Sequence, residues 1–344
     1  MRVAFLDPLE ARLADFPAEY LPAPEFDVML TETAGELPVG WERAEAAIWW
    51  DTPMSRELIA QMPELRFMQR VGWFRSKGDA TAALERGVPV AVTPFGVSDR
   101  VAQHAFTLTQ MLLRRMHVAI DAINRRVNPD ELLELEADTG QNTVNWARIP
   151  DIASLNDKTV GILGFGEIGS AYARLLPPFH TRTLVYRRRP LSAEQEAFYG
   201  VTWTPLDELL RQSDVVVSFV PGAPQAKDMM GAREFGLMKP TAYFVNCGRA
   251  RTVNQDALIE ALRAHRIAGA GLDVFPIEPL PRESALRELG NAIITPHSAG
   301  GIGGWTDTFA RIRSNLDKVQ AGRGSEVTIA MRLGDYQPGA DDEG

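Results

Sequence analysis

The chain has 344 residues and a formal net charge of −9, with 36 basic against 45 acidic side chains. This balance argues against a nucleic acid or an anionic membrane as partner, because both bind basic surfaces. The single cysteine, Cys247, rules out an internal disulfide and a cysteine-based metal site. The N-terminal residues soon become polar, unlike a signal peptide, so we expect a cytoplasmic protein without a metal or a membrane helix.

Short apolar runs alternate with helical patterns along the first third of the chain, and such runs predict strands. We predict strands at residues 2–6, 46–50, 66–71 and 88–92, and helices at 55–62 and 78–87. A long apolar helix is expected over 99–120. An acidic stretch at 128–142 is expected to form a helix and an exposed loop.

A second alternating series follows. Its predicted strands are at 159–163, 183–186, 214–220, 242–246, 269–274 and 292–295, and its predicted helices are at 169–176, 206–212 and 254–265. This alternation predicts an α/β fold with parallel sheets. We therefore expect two α/β units joined by long helices, with a ligand in the cleft between them. Residues 336–344 are expected to form an acidic tail.

The first strand of the second series runs directly into the segment GFGEIG at 164–169. In a dinucleotide fingerprint, Gly164 allows the tight turn, Gly166 lets the backbone approach a pyrophosphate and Gly169 allows close packing of helix and strand. The intervening Glu167 and Ile168 are expected at the same cofactor loop. The alternative is a glycine-rich turn without a ligand, but the strand before and the helix after favour dinucleotide binding.

The end of the next strand indicates which dinucleotide is preferred. NAD enzymes usually carry an acidic residue there for the ribose hydroxyls, yet no acidic residue occurs between Ser170 and Ala193. The strand instead ends in Arg187, Arg188 and Arg189. Guanidinium groups form charge-assisted hydrogen bonds with a phosphate, so we predict NADP, with NAD possible. The alternative is a solvated basic turn.

Three residues meet the demands of oxidising an alcohol beside a carboxylate. Arg249 is expected to hold the carboxylate, His297 to exchange the hydroxyl proton, and Glu278 to pair with the histidine. Each follows a different predicted strand of the second series. Because the carboxyl ends of parallel strands share one edge of a sheet, we expect these side chains to lie close together.

These segments resemble motifs of the D-isomer-specific 2-hydroxyacid dehydrogenase family, from about Arg2 to about Lys318. The matching segments are GFGEIG at 164–169, NCGRARTVNQDAL at 246–258, LDVFPIEPL at 272–280 and TPHSAG at 295–300. The resemblance implies that Arg249 clamps the substrate carboxylate, that His297 is the acid/base and that Glu278 is its partner. It also implies hydride transfer between a nicotinamide and a 2-hydroxy or 2-oxo acid.

The resemblance further implies two doubly wound parallel-sheet domains. A Rossmann dinucleotide-binding domain (101–298) would be inserted into a flavodoxin-like substrate domain (1–100 plus 299–335), and the chain would form a homodimer through the helix around 100–120. Asp273 would contact the nicotinamide. Further cofactor contacts are expected from Val220, Pro221, Cys247, Gly248, Ala299 and Gly300.

The substrate loop departs from the family pattern. The segment QRVGWFRSKGD at 69–79 places Val71, Gly72 and Trp73 at the expected substrate-binding position, with backbone N–H groups of Gly72 and Trp73 available for a carboxylate. Because Trp73 is bulky, the side chain of the substrate is not determined by the sequence. Reduction of glyoxylate or hydroxypyruvate fits the NADP preference best. A non-catalytic NAD(P)-binding regulator on the same fold is the alternative. His104 and His117 are interpreted as packing or interface residues.

Overall fold

The computed structural model describes residues 1–9, 13, 15–72, 81–93, 96–124, 145–301 and 304–327. The chain divides into two compact units. The terminal unit comprises the described parts of Met1–Arg100, Ser192–Gln195 and Gly300–Gly344. The central unit comprises the described parts of Val101–Leu191 and Glu196–Ala299. Apart from Ser192–Gln195, the polypeptide thus leaves the terminal unit near Arg100 and returns to it near Gly300.

The terminal unit is built on a parallel sheet. Its strands are β1 (Arg2–Phe5), β2 (Asp27–Leu30), β3 (Ala46–Trp49), β4 (Phe67–Val71) and β5 (Val90–Thr93). They pair in parallel in the order β2-β1-β3-β4-β5. Every residue of β3, β4 and β5 is buried, which is typical of parallel strands covered on both faces. This strand order is that of flavodoxin-like folds.

The central unit is built on a second parallel sheet. Its strands are β6 (Thr159–Leu163), β7 (Arg182–Tyr186), β8 (Thr202–Trp203), β9 (Val215–Ser218), β10 (Tyr243–Asn246), β11 (Gly269–Leu272) and β12 (Ala292–Ile294). They pair in the order β12-β11-β10-β9-β6-β7-β8. The order reverses between β6 and β9, the switch point at which Rossmann folds bind dinucleotides. The fold class predicted from the sequence is confirmed.

Helices connect the strands in chain order. They are α1 (Phe16–Tyr20), α2 (Arg56–Ala60), α3 (Thr81–Glu85), α4 (Gly96–Leu113), α5 (Met116–Asn124), α6 (Glu167–Ala173), α7 (Ala193–Tyr199), α8 (Leu206–Gln212), α9 (Ala232–Leu237), α10 (Gln255–Arg263) and α11 (Gly304–Gln320). In the terminal unit, Phe5 and Ile48 pack in a cluster with residues of α11, whereas Ala4 and Trp49 pack with residues of α2 and α3. Alternate residues of a strand point to opposite faces, so both faces of this sheet carry a core.

The helix predicted over 99–120 is broken. The structure has two helices, α4 and α5, because Arg115 adopts a left-handed backbone with φ of +54° that cannot continue a right-handed helix. Two strands were not predicted. β2 has exposed residues at both ends, and β8 has only two residues, so neither shows a long apolar run.

Several predicted segments lie outside the described residues. They include the acidic stretch at 128–142 and the tail at 336–344. Among the residues that are described, no helix combines the length and apolar character needed to cross a bilayer.

Candidate active site

The carboxyl ends of the strands of the central unit share one edge of the sheet, because every strand pair in it is parallel. The predicted cofactor and catalytic segments of this unit follow β6, β7, β9, β10, β11 and β12. They therefore gather at this edge, which is where ligands bind in open α/β sheets.

The glycine-rich loop between β6 and α6 has the shape of a phosphate cradle. Gly164 has φ of +83°, and a Cβ there would lie 2.9 Å from the backbone of Phe219 and Val220. A Cβ on Gly169 would lie 2.5 Å from the carbonyl oxygen of Gly164. At Gly166, by contrast, a Cβ would meet nothing within 4 Å. The loop is thus tightly packed at both ends and open in the middle, which fits a pyrophosphate.

Glu167 and Ile168 are the first residues of α6 and are half-buried. The structure therefore keeps both at the cradle, as the sequence indicated. The cofactor contact predicted for each stays a prediction.

The arginine cluster follows directly after β7. Arg187 is half-buried, and its carbonyl oxygen accepts a hydrogen bond of 3.0 Å from the indole N–H of Trp203 in β8. Arg188 and Arg189 are exposed. This cationic surface at the end of the second strand fits a phosphate on the ribose of a dinucleotide. Trp203 was missed by the sequence reasoning because β8 is too short to be recognised.

The ends of β9 and β10 approach each other closely. A Cβ on Gly248 would lie 2.9 Å from the amide nitrogen and carbonyl oxygen of Val220, so only glycine fits there. Val220 and Cys247 are buried, and Pro221 is exposed. Burial, and then the charge of Asp273, raises the pKa of the Cys247 thiol far above its usual range. The thiol therefore stays protonated, which agrees with its interpretation as a packing residue.

The predicted acid/base pair is formed. Nδ1 of His297 lies 2.6 Å from Oε2 of Glu278, and Oε1 of Glu278 accepts a hydrogen bond of 2.9 Å from the N–H of Phe275. Nε2, the other ring nitrogen, is thereby the one available for a substrate oxygen. The side chain of His297 is 50% exposed, so it is open to a ligand.

The pKa of Glu278 is held below its ordinary value. Partial burial opposes ionisation, but it is outweighed by the hydrogen bonds from His297 and from the N–H of Phe275, and by the charges of His297 and Arg249. Glu278 is therefore a carboxylate at neutral pH. A carboxylate on Nδ1 fixes the orientation of the histidine ring.

Arg249 follows β10 and precedes a 3-10 helix at Ala250–Thr252. Its carbonyl oxygen accepts two hydrogen bonds from Thr252, one from the N–H at 3.2 Å and one from the hydroxyl at 2.7 Å. Its Nη1 donates to the carbonyl oxygen of Gly248 at 2.9 Å. The side chain is exposed at the sheet edge and acts electrostatically on Glu278. The structure thus brings the three predicted residues to one place.

Asp273 has an environment that the sequence did not predict. It is 1% exposed, and its Oδ1 accepts hydrogen bonds from the hydroxyl of Thr295 (2.6 Å) and the N–H of Ser298 (2.9 Å). Its Oδ2 accepts one from the N–H of Ala299 (2.9 Å). The carboxylate therefore holds the loop that carries His297. The nicotinamide contact expected of Asp273 stays a prediction.

Ala299 and Gly300 end the loop that carries His297. The N–H of Ala299 already donates to Asp273, and Ala299 is itself buried. Gly300 belongs to the terminal unit, where a Cβ on it would lie 3.4 Å from Val97. The cofactor contacts predicted for these two residues stay predictions.

The predicted substrate loop lies in the terminal unit. Val71 ends β4 and is buried. Gly72 has φ of +116°, and its N–H donates to the carbonyl oxygen of Thr93 at 2.7 Å. This N–H is thus already paired with a neighbouring strand, and the substrate contact expected of Gly72 stays a prediction. Trp73 lies outside the described residues.

Comparison with known proteins agrees with this geometry. A profile described as "D-isomer specific 2-hydroxyacid dehydrogenase, catalytic domain" matches residues 3–201, and one described as "D-isomer specific 2-hydroxyacid dehydrogenase, NAD binding domain" matches residues 132–299.

Named relatives cover most of the chain. The chain is 35% identical to a glyoxylate reductase of Thermococcus gammatolerans over 258 residues, which are 74% of this chain and 73% of the relative. It is 31% identical to glyoxylate/hydroxypyruvate reductase B of Yersinia pestis over 281 residues, 81% of this chain and 82% of the relative. The crystal structure of a protein from Pyrococcus horikoshii superposes with a TM-score of 0.56 at 26% identity, covering 95% of this chain and 94% of that one.

Proposed function

Because the chain belongs to the D-isomer specific 2-hydroxyacid dehydrogenase family, we propose that it reduces a small 2-oxo acid with NADPH. Membership makes it an NAD(P)-binding oxidoreductase that acts on a CH–OH group. The observation that carries the proposal is the 2.6 Å pair of His297 and Glu278 at the sheet edge that also holds Arg249 and the glycine-rich loop.

In the proposed reduction, His297 donates a proton from Nε2 to the 2-oxo oxygen. NADPH, when bound, supplies the hydride that adds to C2. Glu278 accepts the hydrogen bond from Nδ1 of His297 and keeps Nε2 directed at the substrate. Proton transfer by a positioned side chain contributes about 10²–10⁴ to the rate. In the reverse direction His297 accepts the hydroxyl proton.

Arg249 is proposed to bind the substrate carboxylate. A guanidinium can form two parallel hydrogen bonds with a carboxylate, which fixes both the position and the rotation of the acid. With the carboxylate fixed, the adjacent carbonyl is presented to His297 in one orientation. For Val71, Gly72 and Trp73 a substrate-binding role rests on the resemblance alone.

The proposed preference for NADPH rests on Arg187 and Arg188. A ribose 2′-phosphate carries charge that guanidinium groups can pair, whereas the ribose hydroxyl of NADH offers none. The open space at Gly166 would receive the pyrophosphate, and Glu167, Ile168 and Gly169 continue the same loop. Further cofactor contacts are proposed for Val220, Pro221, Cys247, Gly248, Asp273, Ala299 and Gly300.

Glyoxylate and hydroxypyruvate are the proposed substrates. Relatives at 31–36% identity are named glyoxylate reductase or glyoxylate/hydroxypyruvate reductase, which supports a small 2-oxo acid. The alternative of a non-catalytic NAD(P)-binding regulator is not favoured, because the arginine, glutamate and histidine of the reaction are all present and close together.

We also propose that the enzyme is a cytoplasmic homodimer. The single cysteine suits a reducing compartment. On α5, Met116, Ile120 and Ile123 are 43%, 49% and 55% exposed and recur at helical spacing, which supports an apolar contact surface. Light scattering of the purified protein tests this, and a monomeric mass across the micromolar range would contradict it.

The function is tested by following NADPH and NADH absorbance with a panel of 2-oxo acids. The panel contains glyoxylate, hydroxypyruvate, pyruvate, phenylpyruvate and branched acids. We expect the highest kcat/KM with NADPH and glyoxylate or hydroxypyruvate. A best substrate with a large side chain would overturn the substrate assignment. No turnover with any acid, while NADPH still binds, would overturn the catalytic proposal.

A further inference from the structure

We propose that His104 is a positioning residue that acts through Thr295 and Asp273 to hold the backbone of His297 in its reactive geometry. His104 lies on α4, far along the chain from the strand-end motifs. Its Nε2 is 3.0 Å from Oγ1 of Thr295 and 3.4 Å from Oδ1 of Asp273. The inference deepens the proposed function, since it assigns a further residue to the same site.

The direction of these hydrogen bonds follows from counting protons. The Thr295 hydroxyl has one hydrogen, and its three candidate acceptors are Oδ1 of Asp273 at 2.6 Å, Nε2 of His104 at 3.0 Å and the carbonyl oxygen of Leu272 at 3.4 Å. The short contact is typical of a hydroxyl donating to a carboxylate. The Thr295 oxygen is then an acceptor towards His104, so Nε2 of His104 carries a proton.

Through Thr295, the N–H of His104 is connected to a buried carboxylate, that of Asp273. Asp273 is 1% exposed, and a carboxylate removed from water needs donors on both oxygens. Three of its donors come from the loop of His297, namely Thr295, Ser298 and Ala299. His104, on the separate helix α4, donates to the oxygen of Thr295 and lies 3.4 Å from Oδ1 of Asp273, so it links this assembly to the rest of the central unit.

The residue with the strained backbone in this loop is His297. It has φ of +52°, in the left-handed region that few residues other than glycine adopt. Thr295, shortly before it, and Ser298, directly after it, are both hydrogen-bonded to Asp273. A strained backbone persists only where its surroundings hold it, and small displacements of a catalytic group are costly. The geometry therefore links His104 to the orientation of the His297 ring.

The test compares His104→Phe, which keeps ring size but removes the N–H, with His104→Gln, which places an amide N–H near the same point. We expect His104→Phe to lower kcat by roughly 10- to 100-fold. The dissociation constant of NADPH should stay within about twofold, and His104→Gln should restore most of kcat. His265→Gln, at an exposed histidine in the turn after α10, is the matched control and should behave as wild type.

A second readout needs no turnover. The chain has five histidines, so protein labelled with ¹⁵N-histidine gives a few resolvable backbone amide signals, and that of His297 is identified by its loss in His297→Asn. We expect His104→Phe to shift or broaden the His297 signal, His104→Gln to restore it, and the His265 signal to stay fixed. This readout holds even if the enzyme reduces a different acid, so failure of the proposed function and failure of this inference are distinguishable.

Two results would overturn the inference. One is a His104→Phe protein with wild-type kcat and an unchanged His297 signal. The other is a His104→Gln protein that folds but is as impaired as His104→Phe. If His104→Phe does not fold, Thr295→Val removes the same link and Thr295→Ser retains it, and the same two readouts apply.

Discussion

Each oxygen of the Glu278 carboxylate accepts one hydrogen bond, from the imidazole of His297 and from the N–H of Phe275. The second bond fixes the carboxylate on its own loop, so the histidine meets a partner that is already oriented. A pair arranged in this way loses little conformational freedom when substrate binds. The consequences of this arrangement are open to direct measurement.

Replacing His297 with asparagine should remove proton transfer and leave the fold intact. Asparagine tolerates the left-handed backbone that this position requires, so the change isolates the imidazole. We expect kcat to fall by about 10²–10⁴, with the affinity for NADPH measured by calorimetry unchanged. A kcat within a few-fold of wild type would show that another group supplies the proton.

Replacing Glu278 with glutamine should lower the rate of reduction. The amide has a single oxygen, so it cannot accept hydrogen bonds both from the N–H of Phe275 and from Nδ1 of His297, and the imidazole ring loses its fixed orientation. We expect kcat/KM to fall by roughly 10- to 100-fold, with Glu283→Gln, an exposed carboxylate in the same loop, as control. Equal kcat/KM for Glu278→Gln and the wild type would contradict the pairing.

The pKa of Glu278 also bears on stability against acid. Because its pKa is lower in the folded state than in the unfolded chain, the pair stabilises the fold above the ordinary carboxyl value of about 4.3. That contribution is lost as the pH falls through the lowered value. The difference in the free energy of unfolding between Glu278→Gln and the wild type should therefore be smaller at acidic pH than at neutral pH.

Arginines 187 and 188 should determine the choice of cofactor. Removing both, as Arg187→Ala with Arg188→Ala, should reduce kcat/KM for NADPH by at least about 10-fold, since a hydrogen bond to a charged group contributes roughly 1.5–3 kcal/mol. The value for NADH should change little. Arg182→Ala, at the opposite end of β7, is the matched control. An unaltered NADPH/NADH ratio in the double variant would refute the assignment.

At the residue scale, the sequence predicted which residues form the candidate active site better than it predicted their backbone conformations and hydrogen bonds. Motif order placed Arg249, Glu278 and His297 at strand ends, and parallel pairing brought them together. The left-handed backbone of His297 and the paired N–H of Gly72 depend on neighbours distant in the chain, so no local pattern reveals them. His104 looked like a packing residue because its partner, Thr295, is on another element.

At the scale of elements, the buried strands were predicted well, whereas two of the four edge strands, β2 and β8, were missed. The predicted run at 159–163 coincides with β6, since all but its first residue are buried and apolar. β2 escaped prediction because its two terminal residues are exposed. The break between α4 and α5 escaped because Arg114 and Arg115 interrupt an apolar pattern without glycine or proline.

The start of α10 offers a test at this scale. The side chain of Asn254 accepts a hydrogen bond of 3.0 Å from the N–H of Ala257, which caps a helix that buries Leu258, Ile259 and Leu262. Asn254→Ala should lower the free energy of unfolding by about 1 kcal/mol, and Asn254→Asp, which keeps the cap, should cost much less. Denaturant unfolding measures both. Equal stability of the alanine variant and wild type would mean that the cap is dispensable.

At the scale of the whole molecule, two parallel sheets have separate cores, and the central sheet carries the dinucleotide cradle. A chain with two compact units need not unfold in one step. A ligand that binds one folded unit stabilises that unit directly. Thermal unfolding is therefore a probe of cofactor binding that requires no substrate.

NADPH should raise the midpoint of the transition that unfolds the central unit. At a free concentration of about 100 times its dissociation constant, a ligand specific for the folded state contributes roughly 2.7 kcal/mol. Calorimetry with equal concentrations of NADPH and NADH should show the larger shift for NADPH. The difference should disappear in the protein with Arg187→Ala and Arg188→Ala. Equal shifts in the wild type would contradict the preference for NADPH.

The buried thiol of Cys247 makes this chain convenient for spectroscopy. It is the only cysteine, it is 4% exposed, and its raised pKa keeps it protonated. Maleimide reagents attack thiolates at accessible positions, so the native protein should remain unlabelled. Two cysteines introduced on the surface, one in each unit, would then carry a pair of fluorophores without background. Energy transfer between the dyes would report in solution how the separation of the two units responds to cofactor and substrate.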